Sequence, residues 1–428
     1  MSKVKQAIFE KWEDIVAILP EDLDKSAKEH GAFARKREIQ SAQELLRIIL
    51  IYAVVSSLRV TAIWTVGLGI CDISRQAIEK RVIKSEAWLS YLLNELLKQK
   101  IDLELSTNSN IKRIILRDAS VISRPKSHGT EWRLHLSWSP FTQTPTQITL
   151  TDHSSGEGVE DAGLETGDLV LGDRAYGIWK TIRPLLDQLI FFVFRFTYTN
   201  LPLINPDGTT FDVVTFVKLM EDEVLWSETT VMARDDAQQR PFRLIVGRLP
   251  EEKAKEARER YRKQTKKDKR TPNPDTLFLA GFCLLVTNLP ADSWSASLIL
   301  SLYRVRWQIE WTFRRWKSIC RLDVLPSYPA PIAKPVLLAK LILIFLMQDS
   351  LSSAPWSQWW HDSDHAPIVS SLVEMAILHL HEIIRPTFVF RLVMENPERF
   401  RRHLFSSKRK DRLWQLSRAS QHFPSLTF

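Results

Sequence analysis

The sequence predicts an α/β protein that is helical at both ends and sheet-built in the middle. Apolar residues recur at helical spacing near the N-terminus, in Leu45, Leu46, Ile49, Leu50 and Ala53 and again in Trp88, Leu89, Leu92, Leu93 and Leu96. Short apolar or alternating runs typical of strands fill the central region. One charged, turn-rich stretch then breaks the strand rhythm before it resumes. At 428 residues the chain exceeds one ordinary core. The pattern divides it into a helical domain at 1–105, a first core part at 106–198, a β-rich insertion at 199–280, a second core part at 281–325 and a helical C-terminal domain at 326–428.

Within the first domain, Leu58–Gly69, a turn at Ile70–Ser74 and Arg75–Lys84 outline a helix-turn-helix, with Ser74 placed to cap the second helix. That helix carries Arg75, Lys80, Arg81 and Lys84 around Ala77, Ile78 and Val82. It reads equally as a recognition helix for a DNA groove and as a helical hairpin with a solvated basic face. From residue 112 the pattern turns to strands: Ile114–Leu116, then Trp132, Leu134, Leu136 and Trp138 alternating with polar residues, then Gln147–Leu150. Leu169–Leu171 and Leu189–Phe194 follow, separated by a helix around Tyr176–Leu186. Three strands and then strand–helix–strand describe a mixed sheet with helices packed on it. The insertion contains the turn Asn205-Pro206-Asp207-Gly208, a strand at Phe242–Val246 and the segment Glu251–Arg270, which holds ten Lys/Arg against five Asp/Glu and is a candidate DNA-facing arm. Phe282–Val286 is a returning core strand, and a long helix is expected from about Ser295 to Lys317.

A net charge of +9 fits a polyanionic partner. Three scattered cysteines, Cys71, Cys283 and Cys320, suggest neither a disulfide framework nor a zinc knuckle. The acidic residues in the N-terminal MSKVKQAIFEKWEDI do not suit a signal peptide. The apolar stretches Ile48–Val55 and Val336–Met347 are short of a membrane span, and Lys340 interrupts the second. The expectation is a soluble, cytoplasmic protein without a membrane partner. With no Gly-rich phosphate loop and no G-x-S-x-G elbow, ATPase and serine-hydrolase chemistry are excluded.

Three carboxylates stand out. Asp118 ends the apolar run Ile114-Ile115-Leu116-Arg117, and Asp173 ends Leu169-Val170-Leu171-Gly172 in the same way; each alone reads equally well as a turn residue. Two strand-end carboxylates in one sheet can lie side by side, and such a pair repels unless a cation neutralises it. Hard oxygen donors without a Cys or His cluster favour Mg2+ or Mn2+. Glu310 lies in SLYRVRWQIEWTFRRWK. At about 100° per residue, Tyr303, Arg306, Glu310 and Lys317 fall within a sector of about 60°, with Arg314 on its border. Asp152, the pair His153 and Asp161, and the tract His361-Asp362-Ser363-Asp364-His365 are weaker groupings that need no role.

The spacing Tyr303-x2-Arg306-x3-Glu310-x6-Lys317 resembles the signature of insertion-sequence DDE transposases of the insertion-sequence family four group. Asp118-Ala119-Ser120 is similar to that family's first-Asp motif and Asp173-Arg174-Ala175-Tyr176 to its second, with Ala175 where Gly is common. The gaps also suit it, at 173 − 118 = 55 and 310 − 173 = 137. The resemblance spans roughly residues 110–320. It implies an RNase H-like catalytic domain interrupted by a β-rich insertion, and cut-and-paste transposition of DNA. It further implies two Mg2+ or Mn2+ ions bridged by Asp118 and completed by Asp173 and Glu310. Phosphates would be held by Tyr303, Arg306 and Lys317, with Arg314, Arg174, Arg75, Lys80 and Arg81 as further DNA-binding candidates. Partners would be double-stranded DNA (terminal inverted repeats and target) and a second protomer in a synaptic complex, with the apolar stretch Val336–Met347 as the dimerisation candidate. Trp226 and Trp294 are the base-stacking candidates, and a bacterial nucleoid-associated location follows. An RNase H-fold nuclease without strand transfer, or a transposase-derived DNA-binding protein, are the alternatives.

Overall fold

The computed structural model describes residues 9–33, 36–98, 111–127, 129, 131–152, 154–327, 329–353 and 369–404. The His361–His365 tract, His153 and the basic residues Lys408, Arg409, Lys410 and Arg412 lie outside them. The chain divides into two compact units: Met1–Leu96 with Arg124–Lys126 and Trp316–Phe428, and Leu97–Ser123 with Ser127–Arg315.

The first unit is helical. Ser41, Ser57 and Ser74 each accept a hydrogen bond from the backbone N–H three residues on, which starts the helices Ala42–Val55, Leu58–Gly67 and Arg75–Lys84. The expected helix–turn–helix outline is therefore present, with Ile78 and Val82 buried and Arg75 and Lys80 exposed. Arg81 is half-buried, its guanidinium 5.9 Å from the Phe33 ring centre.

The helix Ala333–Ser353 changes two expectations. Its window Ala330–Leu351 is long and apolar enough to cross a membrane, yet 83% of that window is buried inside the protein. It packs against Ala42–Val55 and Val369–Ile384, with Val336, Leu337, Ala339, Leu341, Ile342 and Leu346 all fully buried. Val336–Met347 is thus the core of its own unit and offers no surface for dimerisation. Lys340 interrupts the apolar run because its Nζ donates to the Arg321 and Val324 carbonyls, at 2.7 and 2.8 Å. That pairing is what permits an ammonium in this core.

The second unit is built on one nine-stranded mixed sheet. Its strands are β1 Ile114–Ile122, β2 Trp132–Ser139, β3 Thr144–Asp152, β4 Leu169–Gly177, β5 Phe191–Phe196, β6 Leu203–Ile204, β7 Trp226–Ala233, β8 Pro241–Arg248 and β9 Phe282–Thr287. The spatial order is β3-β2-β1-β4-β5-β9-β8-β7-β6. The antiparallel run β1–β3 is joined through the parallel pairs β1–β4 and β4–β5, as the strand, helix, strand sequence implies. The helix Trp179–Asp187 supplies the crossover between β4 and β5. Residues 199–280, expected to be a β-rich insertion, hold more helix than strand, in Val213–Lys218, Glu251–Lys267 and Pro274–Leu279; their strands β6–β8 extend the same sheet by antiparallel pairing of β8 with β9. Phe192, Phe194, Val246 and Val286 are fully buried in its core.

Candidate active site

The strand β1 continues four residues past Asp118, to Ile122. What ends near Asp118 is the pairing with β4: the parallel ladder runs through Leu116↔Leu171 and stops. Asp118 and Asp173 each lie two residues beyond that last pair, where the strands part. Period-two alternation therefore puts both side chains on the same face as Leu116 and Leu171. On its other edge β4 has a register break between Gly172 and Gly177. Gly172 is required there, since a Cβ would come within 2.9 Å of the Tyr176 ring. Each carboxylate is oriented by its own backbone: Ala119 N–H donates to Asp118 Oδ1 at 2.8 Å, and Ala175 N–H to Asp173 Oδ1 at 2.9 Å.

Glu310 arrives on the helix Trp307–Ser318. The single long helix expected from Ser295 is instead Ala296–Tyr303, a tighter 3-10 turn at Arg304–Arg306, and then Trp307–Ser318. Such a turn advances each residue by about 120°, so Tyr303 is offset from the face that uniform helical spacing assigns it. Tyr303 and Arg306 are buried, Glu310 is half-exposed, and Ile309, Phe313 and Trp316 form the core-facing side. Lys317 is half-buried in the last turn, in the part of the chain assigned to the helical unit; burial lowers its pKa, opposed by Asp323.

Arg306 joins the carboxylates. Its Nη2 donates to Glu310 Oε1 at 2.6 Å, and its Nη1 lies 3.8 Å from Asp118 Oδ2. Its guanidinium also sits 5.7 Å from the Tyr303 ring centre and 5.8 Å from that of Trp307. Burial, with smaller contributions from Asp173 and Glu310, pushes Asp118 up to about 7 against the opposing Ala119 N–H and Arg306. Asp118, Asp173 and Glu310 are therefore electrostatic neighbours. Among the described residues no three His, Cys, Asp or Glu side chains are grouped at metal-binding spacing. The chemistry of the donor set still suits a hard divalent cation, because Asp173 and Glu310 are within electrostatic reach of Asp118 and the repulsion they add to its burial is what such a cation relieves.

Several residues here were not singled out from the sequence. Glu157 lies beside Asp173: burial raises its pKa, Asp173 adds to the rise, and Arg133 Nη1 stands 3.9 Å away. Arg117 is fully buried beneath the 154–165 loop, donating to Gly158 O at 3.2 Å and Ser137 Oγ at 3.1 Å and pairing with Asp161. A cleft of about 360 Å3 is lined by Arg174, Arg195, Arg260, Tyr198, Tyr261 and Phe282, so the basic helix Glu251–Lys267 contributes Arg260 and Tyr261 to it. Trp307 and Trp311 are each about half exposed on the site helix, and Arg314 stacks on Trp311 at 4.6 Å. By contrast, Trp226 opens β7, four strand spacings or about 19 Å across the sheet from β4. Trp294 is half-buried, and its carbonyl accepts from Arg243 Nη1 at 2.8 Å.

Comparison with known proteins adds the family. Residues 109–329 match the transposase DDE domain model. The transposase for insertion sequence element IS421 of Escherichia coli is 33% identical over 348 residues, covering 79% of this chain and 93% of that one. The transposase for insertion sequence element IS231F of Bacillus thuringiensis subsp. israelensis is 25% identical over 376 residues, 78% of each chain. A cryo-EM structure of a piggyBac transposase synaptic complex with hairpin DNA aligns with 94% of this chain and 87% of that one, at 9% identity and a TM-score of 0.47.

Proposed function

Since the chain belongs to the transposase DDE domain family of insertion-sequence enzymes, we propose that Asp118, Asp173 and Glu310 are the carboxylates that hold its divalent cations while DNA ends are cut and joined. The observation that carries this reading is the parting of β1 and β4 two residues before Asp118 and Asp173, with Glu310 an electrostatic neighbour on the site helix. The chemistry supplied there when two Mg2+ or Mn2+ ions are bound is activation of a water or a DNA 3′-hydroxyl and neutralisation of the leaving 3′ oxygen. Phosphoryl transfer needs little covalent help from protein, so placement and charge carry the rest.

The chain's own residues then divide the work. The Ala119 and Ala175 N–H groups each hold one oxygen of Asp118 and Asp173, leaving the second oxygen for a cation. Arg306 bridges Asp118 and Glu310 and is the group that changes partner, turning its planar fork to a DNA phosphate when the carboxylates are engaged. Tyr303 and Lys317 flank the same helix stretch and extend that phosphate contact. Arg174, with Arg195 and Arg260 in the adjoining cleft, continues a cationic path suited to a DNA strand. Arg314, Trp307 and Trp311 present a cation and two aromatic faces on the exposed side of the helix, better placed than Trp226 or Trp294 to meet a base. Arg75, Lys80 and Arg81 remain the candidates for reading terminal repeats from the helical unit. The strands β1–β5 correspond to the RNase H-like core that the family resemblance implies. The enzyme acts as a homodimer on paired ends, in the bacterial cytoplasm.

The test is cleavage and strand transfer of the element's own terminal repeats in Mg2+. Wild type is expected to do both, and Asp118→Ala neither, while still binding the DNA. Intact cleavage by Asp118→Ala would remove the carboxylate assignment, and hydrolysis without joining would reduce the protein to a nuclease.

A further inference from the structure

In the helical unit, a late segment of the chain is packed onto the helix-turn-helix. Val389 is buried against Gly67, the last residue of the helix Leu58–Gly67, where any Cβ would clash with it. The same helix packs on Phe388–Glu395 and on the short helix Arg401–Leu404, and Phe400 between them is fully buried. Arg399 Nη2 donates to the Val66 carbonyl, one of the last of that helix, at 2.9 Å. Buried His403 donates from Nε2 to Asp72 Oδ1 at 2.8 Å, across 331 residues of sequence, and Arg402 Nη1 stands 3.4 Å from the same oxygen. Asp72 belongs to the turn between the two helices of the motif.

Asp72 is the one carboxylate between Leu58 and Ser74, and it lies three residues before Arg75, at most about 11 Å of extended chain away. In a helix-turn-helix the N-terminal residues of the second helix enter the major groove, which is about 12 Å wide and bordered by phosphates. An acidic group at that point repels the partner; here an imidazole and a guanidinium cover it. The arginines of the segment are also available for exchange. The Arg402 and Asp72 side chains are 59% and 57% exposed, and Arg401 faces Glu398 at 3.7 Å with both side chains more than half exposed. Exposed pairs of this kind hold weakly, whereas Phe400 and His403 stay buried as the anchor.

We infer that Pro397–Leu404 is a third element of the DNA-binding module, anchored by Arg399, Phe400 and His403 and presenting Arg401 and Arg402 to the phosphates beside the groove that the helix Arg75–Lys84 enters. The inference rests on the reading of Arg75 and Lys80 as DNA contacts. Phosphate contacts fix a protein's register on the duplex without reading sequence, so the segment contributes affinity and orientation while the helix supplies specificity. Each phosphate that a cation neutralises releases counterions, which makes the salt dependence of binding a count of such contacts.

The experiment measures binding of the full chain to a terminal-repeat duplex and to a duplex of unrelated sequence, by fluorescence anisotropy over a range of salt. Thermal unfolding of each variant runs beside it. The variants are Arg401→Gln/Arg402→Gln, the charge-keeping pair Arg401→Lys/Arg402→Lys, and Arg75→Gln/Lys80→Gln. The Arg401→Gln/Arg402→Gln pair is expected to unfold as wild type does and to bind both duplexes more weakly by the same factor. Its slope of log affinity against log salt should be shallower by about 2, or about 0.9 per contact. The lysine pair is expected to restore that slope, and Arg75→Gln/Lys80→Gln to weaken the terminal repeat more than the unrelated duplex. If Arg401→Gln/Arg402→Gln binds within about twofold of wild type at an unchanged slope, while Arg75→Gln/Lys80→Gln is weakened, the segment has no such role and the helix reading stands. If Arg75→Gln/Lys80→Gln binds both duplexes as wild type does, the helix reading falls and the inference falls with it. If Arg401→Gln/Arg402→Gln unfolds at a lower temperature and the lysine pair does not restore the slope, the arginines serve the fold and the inference is overturned.

Discussion

Arg306 stands between Asp118 and Glu310, where the proposed assignment puts a divalent cation, and replacing it with glutamine separates competition from support. At an effective dielectric of about 20, unit charges 2.6 Å and 3.8 Å apart attract by about 6 and about 4 kcal/mol. Those gross terms shrink for two reasons. The Glu310 side chain is 37% exposed, so water screens the shorter pair. Arg306, with a side chain only 9% exposed, has already lost its hydration, which offsets much of the attraction. A net of about 1–2 kcal/mol remains for the grip of Arg306 on the carboxylates, which corresponds to about a tenfold change in an equilibrium constant. Arg306→Gln is therefore expected to bind Mn2+ about tenfold more tightly than wild type when no DNA is present, and to bind transposon-end DNA more weakly. Calorimetric Mn2+ titration and a DNA filter-binding series read the two effects separately. Weaker Mn2+ binding by Arg306→Gln would refute the reasoning, because Arg306 would then be holding the carboxylates in place for the metal.

Two further outcomes concern stability. Burial, aided by Arg321, holds the Lys340 ammonium down to about 8, with Asp323 and Cys320 opposing. A lowered lysine value means the folded state binds fewer protons between about 8 and 10.5, so this group's contribution to stability falls as pH drops through that window and levels off below it, by about 3 kcal/mol. Lys340→Met removes that dependence but strands the Arg321 and Val324 carbonyls, at a cost of about 1–3 kcal/mol each. Urea unfolding should find the variant near wild type at pH 7 and clearly weaker at pH 10.5; an equal difference at both would contradict the burial account. Arg117→Met removes the cation that pins the 154–165 loop to β1, leaving Asp161, Gly158 O and Ser137 without it. A loss of about 3 kcal/mol is expected in the same assay, with faster limited proteolysis in the loop; a loss under about 1 kcal/mol would show the loop is held by other means.

Much of the plan was legible in one dimension because its causes are local. Strand cores such as Ile114–Leu116 and Leu169–Leu171 follow from period and β-branching, and Ser74 starts its helix through a bond three residues away. The nearness of Tyr303, Arg306 and Glu310 is set by a single helical stretch, even though a 3-10 turn modifies the expected face. Sequence could also place Asp118 and Asp173 near the ends of apolar runs, and the motif spacing tied them to Glu310.

Other features required the tertiary structure because their causes are distant contacts. An arginine or lysine reads as surface in a sequence, yet Arg117 and Lys340 are buried because carbonyls and a carboxylate supplied by other segments satisfy them. Val336–Met347 reads as an exposed apolar face until the helices Ala42–Val55 and Val369–Ile384 are seen to cover it. With 15 tryptophans in the chain, exposure of Trp307 and Trp311 could be told from burial of Trp316 only once one side of their helix had packed. Motif spacing alone suggested grouping Asp118, Asp173 and Glu310. The register of β1 against β4, a pairing between residues 55 apart, decided that Asp118 and Asp173 stand at the same level where the strands part, and the packing around them decided that Arg306 lies between Asp118 and Glu310.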